Sequence, residues 1–455
     1  MTFLIEDATV PAPPNLPLAP RDYESRYHEQ FNNVLRLYFN RLNALLNKIV
    51  ATTSPIPISI GGTNTDAFGR LRVSQPYTLF DSQNRYAADN QFDVATTGTG
   101  TTTFLSNEAA IKMEVTGAGV GSVLRQTYRS FPYQPGKGLL VLATFVMDSS
   151  MSLNLTQRVG YYNDNNGVFF QRIDGTYSFV LRSSVTGTPS DVRTVNQADW
   201  NGDKLNGTGD SGLTLDPSKA QILWMDFEWL GVGSVRCGFI IDGQYIVCHT
   251  FNNANEITGV YMTTAILPVR YEIRTTGSAV AASMKAICCS VVSEGGFEQT
   301  SIDHVARRTT VLGTIGSTFL PVVSIRLAAG RTGAVVLPNR VQVLPTTSQN
   351  YEVALFKNPT LTGASWSAVP SDSNVEFDVA ATATTGGTIV QTNFVTASGS
   401  AGVSETSLPS DYNFDLQLGA SIAGVSDIYT VAVRTVSGAT TGDVVGSLSF
   451  YDLTQ

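Results

Sequence analysis

The chain has 455 residues, more than one typical core accommodates, so two to four structural units are expected. Apolar residues reach 42% while charged residues stop at 15%, and the abundance of Gly, Thr, Ser and Val fits β-rich, turn-rich architecture. The formal net charge is −8 and no basic run exceeds the Arg307-Arg308 pair, which excludes a phosphate-neutralising surface and with it nucleic acid as an expected partner.

The amino terminus, MTFLIEDATVPAPPNLPLAP, has neither a basic start nor a long apolar run, so no secretory signal is expected. Five prolines between Pro11 and Pro20 favour an extended peptide that lies along another surface. The one convincing helix follows, at residues 21–49. There Phe31, Leu35, Tyr38, Leu42, Leu45 and Ile49 are spaced 4, 3, 4, 3, 4, the rhythm of a seam buried against other helices. Phe39 and Leu46 widen the stripe, which suits three or more helices or a groove on another protein, and a homotrimer is the first expectation. An amphipathic helix packed on the chain's own β-domain is the alternative. Asp22 and Glu24 near the start and Arg41 and Lys48 near the end complement the helix dipole.

Pro55, Pro57, Gly61 and Gly62 then punctuate the chain. The expected organisation is an anchoring segment at 1–54, a large β-sandwich at 55–300, a linker at 301–312 and a smaller sandwich, Ig-like or jelly-roll, at 313–455. In the large block, alternating segments such as VLRQTYRSF, SFVLRSSV and QYIVCHTF are separated by turn signals at Asn166-Gly167, Asp174-Gly175, Asn201-Gly202 and Asp242-Gly243, the pattern of an antiparallel sandwich. The longest apolar run, Gly138 to Met147, is too short to span a bilayer as a helix and reads as a buried strand, so membrane insertion is not expected. Residues 199–216 read as a solvent-facing loop. After Gly295-Gly296 and the charged run from Asp303 to Arg308, strands resume in PVVSIRLAA, AVVLPNRVQVL, YEVALF, GTIVQTNFV and IYTVAVRTV. The two blocks share no repeat at any fixed period.

Four cysteines do not make a disulfide framework. Cys237 and Cys248 are symmetric about Asp242-Gly243, which places them opposite each other in a hairpin, in poor geometry for an unstrained bridge, so reduced core thiols are expected. Adjacent Cys288 and Cys289 point to opposite faces of a strand. His28, His249 and His304 have no ligand spacing, and neither a metal site nor a cofactor is expected. Asp203, Asp210 and Asp216 lack the rhythm of a calcium loop. No nucleophile elbow or phosphate loop occurs.

The segment TDAFGRLRVSQPYTLFDSQNRY, Thr65 to Tyr86, resembles a signature of large virion structural proteins from tailed phages of aquatic hosts. FEWLGVGSVRCGFIIDGQ, FNNANEITGVYM, LPVRYEI and CCSVVSEGGF are similar to later parts of those proteins, and the carboxy-terminal block resembles a terminal domain of the same class. The resemblance covers roughly residues 58 to 455. It implies a non-enzymatic virion component, assembled in the host cytoplasm, most simply a trimeric tail fibre or tail-associated protein docked on other virion proteins through residues 1–50. A carbohydrate-binding receptor-recognition protein, a head or neck appendage and a glycan depolymerase are the alternatives. The EWLGVG, FIIDGQ and FNNAN run is also similar to concanavalin-like sandwiches, so the fold implied is mainly β: an amino-terminal helix, a large concanavalin-like antiparallel sandwich and a smaller one.

Three sets of residues are candidates. The motif residues Asp66, Phe68, Gly69, Arg70, Leu71 and Arg72 put two guanidiniums on one strand face, suited to carboxylates of a neighbouring subunit or of the same domain. Tyr161, Tyr162, Asn163 and Asp164 combine ring faces with amide and carboxylate groups, the inventory that stacks on sugars and bonds their hydroxyls, although Asn166-Gly167 also fits a plain hairpin turn. Asp226 and Glu228 stand at i and i+2, so that a strand would project both from one face at a separation a retaining glycosidase could use. Concanavalin-like glycosidases carry a third carboxylate two residues on; here that position is Leu230, which favours a structural role.

Overall fold

The computed structural model describes residues 25–51, 65–66, 75–117, 119–148, 153–277, 281–298, 301–369, 373–396, 404–407, 414–436 and 441–454, without the side chains of 25, 44–51 and 404–407. The chain divides into two compact units at Gly61 and Gly62.

The first unit carries the helix Ser25–Ala51, which runs two residues past the expected end. Phe31, Leu35, Tyr38 and Leu42 are half-buried, with Tyr27 stacked on Phe31 at 6.1 Å between ring centroids, while Leu37 and Phe39 are exposed. The side chains of Leu45 and Ile49, and Asp22 and Glu24 altogether, lie outside the described residues. No described helix is long and apolar enough to cross a membrane.

The second unit is mainly antiparallel β-structure, as the sequence implies. In the large sandwich, a seven-stranded sheet orders its strands Ser190–Asn196, Thr176–Ser183, Gly167–Ile173, Leu155–Tyr162, Val269–Thr275, Gly121–Thr127 and Phe92–Gly98. An eight-stranded sheet orders Gln244–Phe251, Val235–Ile241, Gln221–Phe227, Gly138–Val146, Ala282–Glu294, Ala110–Val115 and Gly100–Leu105, with Tyr77–Gln83 also paired to Ala282–Glu294. Alternation sends every second side chain into one shared core. Phe170 of one sheet meets Phe239 of the other edge-to-face at 5.2 Å, and Tyr161 meets Phe227 at 5.2 Å. The Asp-Gly dipeptides close hairpins as expected: Asp174 and Gly175, and Asp242 and Gly243, all take positive φ, the requirement of two-residue turns that match strand twist.

The smaller sandwich packs a four-stranded sheet, Asp303–Ile315, Gly442–Asp452, Val336–Pro345 and Ser404–Ser407, against a six-stranded one around Val323, Ile325, Tyr351, Val431 and Leu448. The linker expected at 301–312 is instead mostly an edge strand, Asp303–Ile315. Its charges mislead because Asp303 and Arg307 lie on the exposed side of an alternation that buries His304 and Ala306, while Arg308, half-buried on the other side, donates to the Val379 carbonyl. The two sandwiches are continuous. Phe414, Val335 and Leu337 of the second join the core of the first, and residues 417–422 lie on it through Gln417 Nε2 to the Ser130 carbonyl (2.7 Å), Ala420 N–H to the Tyr128 carbonyl (2.8 Å) and Ile422 N–H to Asp93 (2.7 Å).

Residues 199–216 form a loop, yet it is not wholly solvent-facing: Trp200, Leu205 and Leu215 plug into the main core. The cysteine hairpin is offset by a bulge, so that Cys237 pairs with His249 rather than Cys248. All four cysteines are free thiols, three of them buried.

Candidate functional site

Each sheet of the large sandwich has an outer face that carries charge. On the eight-stranded sheet, Leu223, Met225 and Phe227 point inward, which turns Trp224 and Asp226 outward. Asp226 pairs with Arg236 directly opposite it across the strands, and Arg236 also donates to the carbonyl of Thr65 at 2.8 Å. Thr65 and Asp66 are themselves buried on this face. A Cβ on Gly138 would sit 3.0 Å from Glu294 Oε2 and 3.6 Å from both Asp226 Oδ1 and the Asp66 Cβ, so Gly138 leaves the space in which these acids gather. Asp226 and Glu228 do not share an accessible strand face: Asp226 has no exposed surface, and Glu228 lies past the strand end, accepting from the backbone N–H and hydroxyl of Ser234 at 3.2 Å each. Of the motif residues, Asp66 alone is described; Phe68, Gly69, Arg70, Leu71 and Arg72 lie outside the described residues.

Neither Tyr161 nor Tyr162 can stack on a ligand, because both rings are fully buried. As neighbours on a strand they face opposite ways. Tyr161 points into the core, where its hydroxyl donates to the carbonyl of either Phe131 (2.8 Å) or Ala265 (2.6 Å) and accepts from the Leu267 N–H. Tyr162 points outward and lies against Phe169, 4.4 Å between centroids, in a small cluster with Val180. Asn163 folds its side chain back onto the N–H groups of Asn165 and Asn166, a local turn rather than a ligand contact. Asp164 remains exposed.

The outer face around Tyr162 and Phe169 is the more consequential surface. Cross-strand register sets its rows: Gln171, Arg158 and Glu272 stand side by side, and one step along Phe169, Gly160, Arg270 and Gln126 do the same. Gly160 is required where it is, since a Cβ there would fall 2.6 Å from the Phe169 Cα and from the Val168 carbonyl oxygen. Arg158 and Arg182 lie over the Phe169 ring at 5.2 and 5.1 Å, and Arg270 over Tyr162 at 5.2 Å.

Carboxylates complete the array. Arg158 reaches Glu272 (3.4 Å) and Gln171 (3.1 Å), and the Tyr162 hydroxyl lies 3.3 Å from the same Glu272 oxygen. Arg182 grips Asp191 with Nε at 2.8 Å and Nη2 at 3.4 Å. Arg270 takes Asp164 at 2.5 Å and Gln126 at 2.7 Å. Burial pushes the Tyr162 hydroxyl well above its ordinary range, with Glu272 adding to the effect, so it remains a proton donor. Burial disfavours the Arg182 charge, but the hydrogen bonds it donates to the Asp191 carboxylate and that group's charge outweigh it, and the guanidinium is held above its ordinary value. Chemically the face offers preorganised donors and acceptors around rings, with Glu272 and Asp191 both against Arg158. The sequence reading missed these arginines, although LTQRVGYY, SFVLRS and VRYEIRT each set Arg at an outward position among apolar residues.

The 201–216 loop is occupied by its own bonds. Asp203 accepts from the N–H groups of Leu205 (2.8 Å) and Ser211 (2.7 Å); burial alone would raise its pKa, but these donors prevail and lower it. Asp216 caps Ser218. Among the described residues no three His, Cys, Asp or Glu side chains are grouped as metal ligands.

No protein-family model matches the sequence, and no curated protein does. Solved structures resemble about half of it. A carbohydrate esterase from the Shiga toxin-encoding bacteriophage phi24B is 10% identical and covers 48% of this chain and 100% of its own, with a TM-score of 0.28. The carbohydrate recognition domain of Emp47p is 7% identical over 48% and 97%, with a TM-score of 0.30. A beta-1,3-glucanase from Mycobacterium marinum is 10% identical over 47% and 98%, with a TM-score of 0.31. The names divide between enzymes and a recognition domain, and likeness at this level carries no weight for function.

Proposed function

We propose that this chain is a non-catalytic, glycan-binding component of a phage particle, and that the outer face of the seven-stranded sheet is its binding face. The observation that carries the reading is the row of Arg158, Arg182 and Arg270, seated over Tyr162 and Phe169 and interleaved with Gln126, Gln171 and Glu272. The accessible members, Arg182, Gln126, Asp191 and Asp164, are held by buried Arg158, Arg270 and Gln171 and their neighbours, so they meet sugar hydroxyls with little ordering cost, and that preorganisation is what gives affinity. The face's carboxylates Glu272 and Asp191 are both held by arginine, Arg158 lying 3.4 Å from the first and 3.9 Å from the second, an arrangement that suits recognition better than proton transfer. The phage assignment is supported by the AFGRLRVS-type motif, whose Asp66 is built into the β-body.

The amino-terminal helix supplies the oligomer. Its 4, 3, 4, 3, 4 spacing and exposed Phe39 favour a homotrimer attached to other virion proteins through residues 1–50. Three linked faces then combine modest affinities by effective concentration.

A glycan array probed with the full chain and with the Arg158→Gln, Arg182→Gln double variant tests the binding face. One sugar class is retained by the parent and lost by the variant at unchanged circular dichroism; blank arrays at several ionic strengths overturn the reading. Mass photometry of the full chain against one beginning at Ser54 tests the helix, with equal masses per particle, after allowing for the deletion, removing it from the assembly.

A further inference from the structure

The row has an uneven distribution of exposure. Arg158 and Arg270 are nearly fully buried, yet the acids that meet them from outside are not: the Asp164 side chain is 78% exposed over an Arg270 side chain that is 4% exposed, and Asp191 is 31% exposed over Arg182 at 15% and Arg158 at 8%. Releasing an exposed carboxylate to water costs little, whereas a buried guanidinium left without an anion is costly. The two aspartates are thus exchangeable covers on cations that need some anion. Asp191 also sits where the edge strand Ser190–Asn196 loses register with its neighbour, between Ser190 and Arg193, so it can move without breaking the ladder beyond it. Counting Arg158, Arg182, Arg270 and Arg274 against Glu272, Asp191, Asp164 and Asp93, which stands across from Gln126 in the same row, leaves this face balanced in a chain of net charge −8, and it becomes cationic only once the two covers swing away.

We infer that the ligand is an acidic glycan of the uronic acid class, whose carboxylates displace Asp191 and Asp164 and take over their guanidiniums. Arg182 already holds Asp191 through two of its nitrogens, the fork geometry that suits a planar carboxylate. The displaced aspartates act as internal competitors. They lower affinity for the ligand and keep neutral sugars from finding unpaired donors, so selectivity comes from what the face already holds. This rests on the glycan-binding reading above.

The test uses the full chain in titration calorimetry against oligosaccharides of galacturonate, mannuronate and glucuronate, each beside its carboxyl-reduced counterpart of equal length. At least one uronate binds about tenfold more tightly than its reduced partner, the worth of one charge-assisted pair, and weakens as salt rises. Arg182→Gln abolishes that difference, while Asp191→Asn tightens uronate binding several-fold because it removes the competitor. Equal or tighter binding of the reduced sugars overturns the inference and leaves glycan binding standing; silence toward every sugar, acidic and neutral, overturns both. An Asp191→Asn protein that folds and binds less well overturns the displacement. Asp164→Asn, on an exposed turn, repeats the measurement at Arg270 if Asp191→Asn fails to fold.

Discussion

The two outer faces of the large sandwich use the same chemistry to opposite ends. On the eight-stranded sheet, Asp226 and Arg236 form a pair that the chain itself seals, since Thr65 and Asp66 are buried there and the Thr65 carbonyl takes a second Arg236 bond. On the seven-stranded sheet, Arg182 and Arg270 end at aspartates that remain in water. A pair whose carboxylate is fully buried under other parts of the chain holds structure. A pair with one exposed member can exchange it, which is the condition for binding an anion from outside. The difference lies in which strand neighbours a distant segment of chain covers.

Four measurements break or sharpen that contrast. The largest effect belongs to the sealed pair: Asp226→Ala leaves a buried guanidinium without its carboxylate and lowers stability by about 3–5 kcal/mol in urea unfolding, and a loss below that of a surface pair would make the two faces equivalent. Gly160→Val comes next, at about 1–3 kcal/mol, because its Cβ collides with the Phe169 backbone; it also disorders the arginine row, so glycan binding falls with stability. His249, where Asn201 approaches its Nδ1 from the adjoining loop, has its pKa lowered to about 4, first by burial and then by Arg193. Since the unfolded histidine titrates near 6.5, the unfolded state binds the extra proton between these values, and stability falls by up to about one proton's slope as pH drops from 6.5 towards 4. His249→Phe flattens that slope, and an unchanged slope in the variant assigns it elsewhere. Asp191→Asn has the smallest effect on folding, under about 1 kcal/mol, which chemical denaturation separates from Asp226→Ala if the first face is exchangeable and the second is not.

Period-two alternation and Asp-Gly turns made most strands legible, from GLLVLATFV to IYTVAVRTV, because both signals are local. Alternation also explains what was misread. In Asp303–Ile315 it was hidden by charges on the exposed face, and in Tyr161-Tyr162 two adjacent aromatics taken for one surface are split between the core and the opposite face. The bulge at Cys248 breaks a symmetry that counting from the turn cannot detect.

By itself the amino-acid sequence determined the mainly β architecture, the amino-terminal helix with its apolar spacing, and the positions of the hairpins, because each depends on residues within a few places of one another. Only the tertiary structure decided that Arg158, Arg182 and Arg270 share a face, that Thr65 and Asp66 close over Asp226, and that residues 414–422 tie the two sandwiches together. Those contacts join segments up to hundreds of residues apart, and whether a strand face is covered or open depends on where such segments return.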